Sequence, residues 1–322
     1  MELSSDFTHL RRCFLPTSIL LCFSAGLLAA LEPWYFAPHS LTNNLSSILP
    51  LCFLAIGQTF VVLTGGIDIS LGTMLTLSSV TIVTLFGDNP SPSLAIGSVL
   101  AGLLVGITAG AVNGFGVCVL GLQPMIATFA SSFLWGGIAL WIMPQPGGTV
   151  PQTLTDFIHG TLFLPVPAWI IIVAIGCWAL FYNTKFCRHL YAVGGNSMFS
   201  YISGIAVHRI KFTSYVLGGL MTSLGAIFMI SDLGTADPLI GGPLVLSSIV
   251  AVVLGGSRLA GGEGGVVGSI FGVLILTCFR NIVLGLGLPY LWQPLIDGLI
   301  VMLALSGPGL TAIIKSNAIW KR

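Results

Sequence analysis

The chain reads as an all-α membrane protein, a polytopic bundle of about ten transmembrane helices. Three observations predict this. Of its 322 residues, 55% are hydrophobic and only 7% are charged, and the mean hydropathy is +1.01. A soluble domain carries about 25% charged residues, so a water-solvated surface cannot be built from this mixture. Several apolar stretches reach the roughly 20 residues that a helix needs to cross the hydrocarbon core. Strand-like alternation is missing from them, which argues against a barrel.

Hydropathy outlines the segments as 14–31, 44–64, 70–86, 93–113, 117–143, 167–183, 212–231, 244–257, 265–279 and 291–313, within one transmembrane domain, 1–322. The first follows Arg11-Arg12 and a short tail, 1–13. It is long for a signal core, and no small-x-small cleavage site precedes Glu32-Pro33-Trp34, so it is expected to remain as a span. The fifth is long enough to tilt, or to include a half-buried start around Leu122-Gln123-Pro124.

With the N-terminus inside and ten spans, ten of the eleven basic residues fall on the inner side and Arg280 alone on the outer. Basic residues accumulate in cytoplasmic loops, so both termini are expected in the cytoplasm. Pro144–Pro167 becomes an outer connection without Lys or Arg, in which Asp156–Ile158 and Leu162–Leu164 are candidates for a short surface helix. Residues 184–211 form the main inner loop.

Two glycine-rich stretches interrupt the apolar segments: GQTFVVLTGGIDISLG (Gly57–Gly72) and VVLGGSRLAGGEGG (Val252–Gly265). Irregular backbone at membrane depth survives only when buried in protein or lining a cavity. The stretches therefore mark either a solute path or tight turns between helices. They echo each other weakly, and among 41 glycines the echo alone carries nothing.

Within the inner loop, Asn196–Ile205 has the pattern of a short helix, with Ser197 as its cap and Gly204 as its left-handed stop. Met198, Tyr201, Ile202 and Ile205 recur at helical spacing and make one apolar face. Such a helix either lies on its own protein or lipid, or is a knob for a cytosolic partner.

Catalytic constellations are missing. No phosphate-cradling G-x-x-x-x-G-K-[ST] loop and no G-x-S-x-G elbow occur, and no close Ser/His/Asp grouping is visible. The seven cysteines, Cys13 to Cys278, are scattered without metal-like spacing, and a net charge of +1 gives no reason to expect a nucleic-acid partner. No catalytic residue, metal site or cofactor bound by the chain itself is expected. Only Asp297 looks deep in a span, which disfavours an ion-coupled carrier. Asp68 follows the first glycine pair, where it or Ser70 can cap the next helix. Uncharged polar residues are better represented. Gln58, Thr64, Asn113 and Thr128, with Gly65, Gly66, Asp68 and Ser70, are the candidate lining of a solute pathway; helix glue is the competing role.

GQTFVVLTGGIDISLG, PMIATFASSFLWGGIAL (Pro124–Leu140), YAVGGN with SGI (Tyr191–Asn196, Ser203–Ile205) and AVVLGGSRLAGGEGGVVGSIFG (Ala251–Gly272) resemble the permease subunits of ribose/monosaccharide-type ABC importers. The likeness runs from about Thr42 to Leu305 with its motifs in order. It implies a bacterial inner-membrane permease for a sugar or sugar-like solute. It also implies a second permease chain, two cytosolic ATPase subunits that hold ATP and Mg, a periplasmic solute-binding protein, and contact with membrane lipid. By the same resemblance, Asn196, Ser197, Met198, Tyr201, Ile202, Gly204 and Ile205 belong to the segment that couples to the ATPase. The chain departs from the family at Ser197–Ser200, where an acidic-Ala-Ala run is usual. It departs again at Val245 and Ser247, where Glu and Asp are usual, and at Glu263, where Arg is usual. Those departures leave homodimer and heterodimer both open. A stand-alone secondary carrier or channel is the alternative function.

Overall fold

The computed structural model describes residues 3–87 and 90–287, with isolated positions up to 302; side chains are described from Pro16 onward, His39 excepted. The expected last span, 291–313, lies outside the described residues apart from those isolated positions, and Asp297 is not among them. Twelve α-helices are described. They are α1 (Leu3–Leu31), α2 (Pro38–Leu63), α3 (Leu71–Phe86), α4 (Pro92–Cys118), α5 (Pro124–Ile142), α6 (Gln152–Ile158), α7 (Val166–Tyr182), α8 (Lys185–Gly195), α9 (Ser197–Ile202), α10 (Val207–Leu233), α11 (Gly241–Leu254) and α12 (Val266–Gly285). A two-stranded ribbon pairs β1 (Thr161–Leu162) with β2 (Leu164–Pro165), turning at Phe163. The surface helix expected in this connection therefore covers Gln152–Ile158 only; Leu162–Leu164 forms the ribbon.

Helix starts follow local chemistry. Proline occupies the first turn of α2, α4, α5 and α7, where its missing N–H costs no hydrogen bond. Ser91 caps α4 by accepting from Leu94 N, and Thr184 caps α8 by accepting from Cys187 N. The chain leaves helix at Val119–Gln123, so α5 begins at Pro124 and not at 117. The first helix starts at Leu3, so most of the expected N-terminal tail is helical.

Among the described residues, α2, α4, α5, α10 and α12 are long and apolar enough to cross a membrane. The pair α7–α8, bent by 81°, counts as a sixth if taken as one span. Helices α3 and α11 are shorter, at 16 and 14 residues. At 1.5 Å per residue they extend only about 24 and 21 Å, less than the roughly 30 Å hydrocarbon core.

Helices α2 and α4 both pack on α10, and small residues bring them together. Gly102, Gly106, Gly110 and Gly114 form one buried stripe along α4. A methyl on Gly106 would lie 2.5 Å from Gly219 O, and at Gly110 it would overlap Tyr215 O. Gly57 of α2 meets Gly218 of α10 in the same way. Lipid tails are as apolar as leucine, so close backbone approach, not hydrophobicity, holds such helices together. Polar pairs add to it: Thr59 and Ser269 hydroxyls are 2.7 Å apart between α2 and α12, and Arg280 Nη2 donates to Ser247 Oγ at 2.6 Å.

Candidate functional site

Two regions carry the residues singled out from sequence. The first lies where α2 gives way to α3. Gly65, at φ +80°, ends α2: Gly65 N donates to Val62 O and Gly66 N to Val61 O. That is the paired helix stop in which a left-handed glycine satisfies the last carbonyls. Thr64 Oγ1 donates to Val61 O within the same turn. The backbone then runs unwound back into the bundle. Leu71 reaches Gly218, about 16 Å along α10 from its start, and Gly72 packs against Gly241 at the start of α11.

Asp68 sits at the middle of this segment with no exposed surface. Its carboxylate accepts from Ser70 N at 2.8 Å, from Ser70 Oγ at 2.7 Å and from Asn113 Nδ2 at 3.2 Å. Asn113 also donates to Ser70 Oγ at 2.7 Å. With its amide oriented to serve both partners, Gln58 donates to Asp68 O at 3.0 Å and accepts from Asp68 N at 3.3 Å. Thr128 of α5 accepts from Ile69 N at 3.1 Å. Gln58, Asp68, Ser70, Asn113 and, through Ile69, Thr128 thus meet around one re-entering segment, while Thr64, Gly65 and Gly66 form the helix stop that precedes it. Neither Ser70 nor Asp68 caps α3: Ser70 makes no side-chain capping bond, and the Asp68 carboxylate accepts from Ser70 itself, just before the helix begins at Leu71. Asp68 also corrects the expectation that Asp297 alone is deep. Near it, Tyr215 Oη and Asn113 Oδ1 are buried without a hydrogen-bond partner.

The second region is α8–α9. Here Asn196, not Ser197, is the cap, accepting from Phe199 N at 3.0 Å. Gly204, at φ +81°, is the stop: Gly204 N donates to Tyr201 O and Ile205 N to Ser200 O. Met198, Phe199, Tyr201 and Ile202 are each 67–70% exposed. Ile205 instead packs on the main core and anchors the knob. Phe199 was missed by the spacing; its neighbour Ser200 is the buried residue of the helix.

Elsewhere the chemistry is structural. Ser47, His159 and Asp232 meet at the end of the bundle opposite α9, a grouping the sequence did not reveal. Ser47 Oγ donates to Asp232 at 3.0 Å, and His159 Nε2 lies 3.6 Å from the same carboxylate. Ser47 is bonded to the acid and not to the imidazole, whose Nδ1 lies 3.5 Å from Ser46 Oγ instead, so the three do not form a serine–histidine–acid relay. No group of three metal-ligating side chains occurs among the described residues. A cavity of about 650 Å³ is lined by apolar side chains such as Phe53, Phe60, Trp169, Trp178 and Phe181. A smaller one of about 380 Å³, near the start of α2, is lined by Glu32, Trp34, Tyr35, Ser40, Asn44 and Asn281.

A multi-pass helical membrane protein with a buried polar re-entrant segment and an exposed apolar knob has the parts of a transport permease. The sequence comparisons agree. Residues 40–305 match the family described as branched-chain amino acid transport system / permease component, and the chain belongs to that family. It is 33% identical to the ribose import permease protein of Escherichia coli (strain K12), over 89% of this chain and 90% of that one. It is 35% identical to the ribose import permease protein of Bacillus subtilis (strain 168), over 86% and 87%. It is 28% identical to the autoinducer 2 import system permease protein of Photorhabdus luminescens, over 81% and 80%. No solved structure matches it.

Proposed function

We propose that this chain is the permease subunit of an ABC importer, carrying a sugar or sugar-like solute across the bacterial inner membrane. The observation that carries it is the pairing of an exposed apolar knob with a family match covering most of the chain. The ribose and autoinducer 2 import functions of its relatives favour a polyhydroxylated solute over an amino acid. Ten spans with both termini in the cytoplasm accord with the distribution of basic residues. The two glycine-rich stretches then interrupt spans near the inner face.

In this mechanism the chain does no bond chemistry. A periplasmic binding protein delivers solute, and a second permease chain completes the pathway. Two cytosolic ATPase subunits, holding ATP and Mg, dock on α9. Met198, Phe199, Tyr201 and Ile202 supply an apolar anchor of the helix-in-groove kind. ATP binding draws the knob and shifts the permease between outward- and inward-open states. It can do so only because the partner binds those states with different affinity. The Asp68 segment, unwound and hydrogen-bonded to three helices, is the element that rearranges along the path.

The test is to purify the chain with its ATPase, binding protein and any second permease. ATP hydrolysis is then measured with ribose, other pentoses, hexoses and branched-chain amino acids. Stimulation by a sugar-loaded binding protein is expected. Stimulation by amino acids alone would move the substrate to that class, and ATP-independent accumulation by the permease alone would make it a secondary carrier.

A further inference from the structure

The two glycine-rich stretches and α8 touch at a single junction. Gly262 N donates to Leu63 O at 3.1 Å, joining the α11–α12 connection to the end of α2. Gly194, in the last turn of α8, lies against both: a methyl on its Cα would overlap Leu63 O. A methyl on Gly261 would stand 2.7 Å from Gly65 N and 3.0 Å from Gly194 O. One turn before Gly194, Tyr191 Oη donates to Gly264 O at 2.6 Å. The echo between the two stretches has a physical counterpart here. Val61-Val62-Leu63-Thr64-Gly65-Gly66 and Val252-Val253-Leu254-Gly255-Gly256-Ser257 end their helices with the same bonds. Gly256 N donates to Val253 O, and Ser257 N to Val252 O. Gly256, like Gly65, has a left-handed φ, +82°.

We propose that Gly194 and Tyr191 are positioning residues for transport. They fasten α8–α9 to the stop of α2 and to the α11–α12 connection, so that a displacement of the knob moves both. The inference rests on α9 being the ATPase contact. Backbone packed on backbone has no rotamer to absorb a shift, and close-packed interfaces move as units. From Leu63 and Gly65 the displacement passes to Asp68, and from its carboxylate to Ser70, Asn113 and the first turn of α3. Gly195 is a built-in control, because a methyl there meets nothing within 4 Å.

The experiment measures solute imported per ATP hydrolysed by the complete complex in proteoliposomes, for the parent chain, Gly194→Ala, Tyr191→Phe and Gly195→Ala. Tyr191→Phe keeps the ring and removes only the hydroxyl, so it decides the matter if Gly194→Ala does not assemble. Tyr191→Phe is expected to lower solute per ATP about fivefold, the lower end of typical coupling between sites. ATPase-subunit binding should stay unchanged, and Gly195→Ala should match the parent. An unaltered ratio in Tyr191→Phe and in any assembled Gly194→Ala would overturn the inference while leaving the importer intact. Failure of the parent complex to couple ATP to uptake would instead overturn the importer reading beneath it.

Discussion

Helices α2 and α5 are both apolar enough to cross a membrane, yet 89% of the most apolar stretch of α2 is buried within the chain and only 22% of that of α5. In water such a difference would follow hydrophobicity. In lipid it need not: α4, whose most apolar stretch is more apolar than that of α2, is only 28% buried there, because an exposed leucine costs nothing in lipid. What separates the two is small and polar content on the packed face. Helix α2 presents Gly57, Gln58 and Thr59 to α10, Asp68 and α12, whereas α5 turns Met125, Ile126, Phe129, Phe133 and Trp141 outward. The central helices hold the fold and the re-entrant segment. The peripheral face of α4–α5 is free to meet lipid or another chain.

The comparison is sharpest where one substitution is made in both settings. Gly106→Leu on α4 drives a side chain into Gly219 and Ser223. It should cost about 3 kcal/mol or more, enough to abolish recovery of monodisperse protein on size exclusion. Next comes Asp68→Ala. It strands Ser70 N and the Ser70 hydroxyl proton, leaves the Asn113 amide with Ser70 Oγ alone, and should destabilise by about 3 kcal/mol in a denaturant titration in detergent. Asp68→Asn, which keeps an acceptor, should cost less. Third, Ile202→Asp on the exposed knob should leave that titration unchanged and reduce ATP-driven uptake at least about tenfold, a loss of roughly 1.4 kcal/mol of coupling. The smallest effect belongs to Gly137→Leu on α5, where a methyl meets nothing within 4 Å. It should change stability by less than about 0.5 kcal/mol. A large loss there would show that another chain covers this face.

Much of the architecture was readable in the residues. The range expected for α7 differs from the observed one by a single residue at each end, because charged and proline flanks punctuate it. The α4–α5 boundary was displaced, since an apolar turn at Val119–Gln123 looks to hydropathy like more helix. The glycine stripe of α4 stands in the sequence at every fourth position, Gly102 to Gly114, but spacing alone does not say which helix it meets. The knob was placed from spacing, but its cap and its Phe199 were not. Asn196 and Ser197 both suit a cap, and a six-residue helix is too short for periodicity to fix its exposed face. Asp68, Gln58, Asn113 and Thr128 each stand out in the sequence as polar residues in apolar surroundings. Their meeting was hidden because Asn113 and Thr128 lie 45 and 60 positions from Asp68, on two other helices whose rotation is set by tertiary packing.

The account depends on α9 facing the cytoplasm and carrying the ATPase. The direct measurement is labelling of Met198→Cys, in a chain with its native cysteines replaced, by a membrane-impermeant maleimide. Inverted membrane vesicles should label, right-side-out vesicles should not, and added ATPase subunit should protect the site. Labelling from the periplasmic side, or full reactivity with the ATPase bound, would contradict the account.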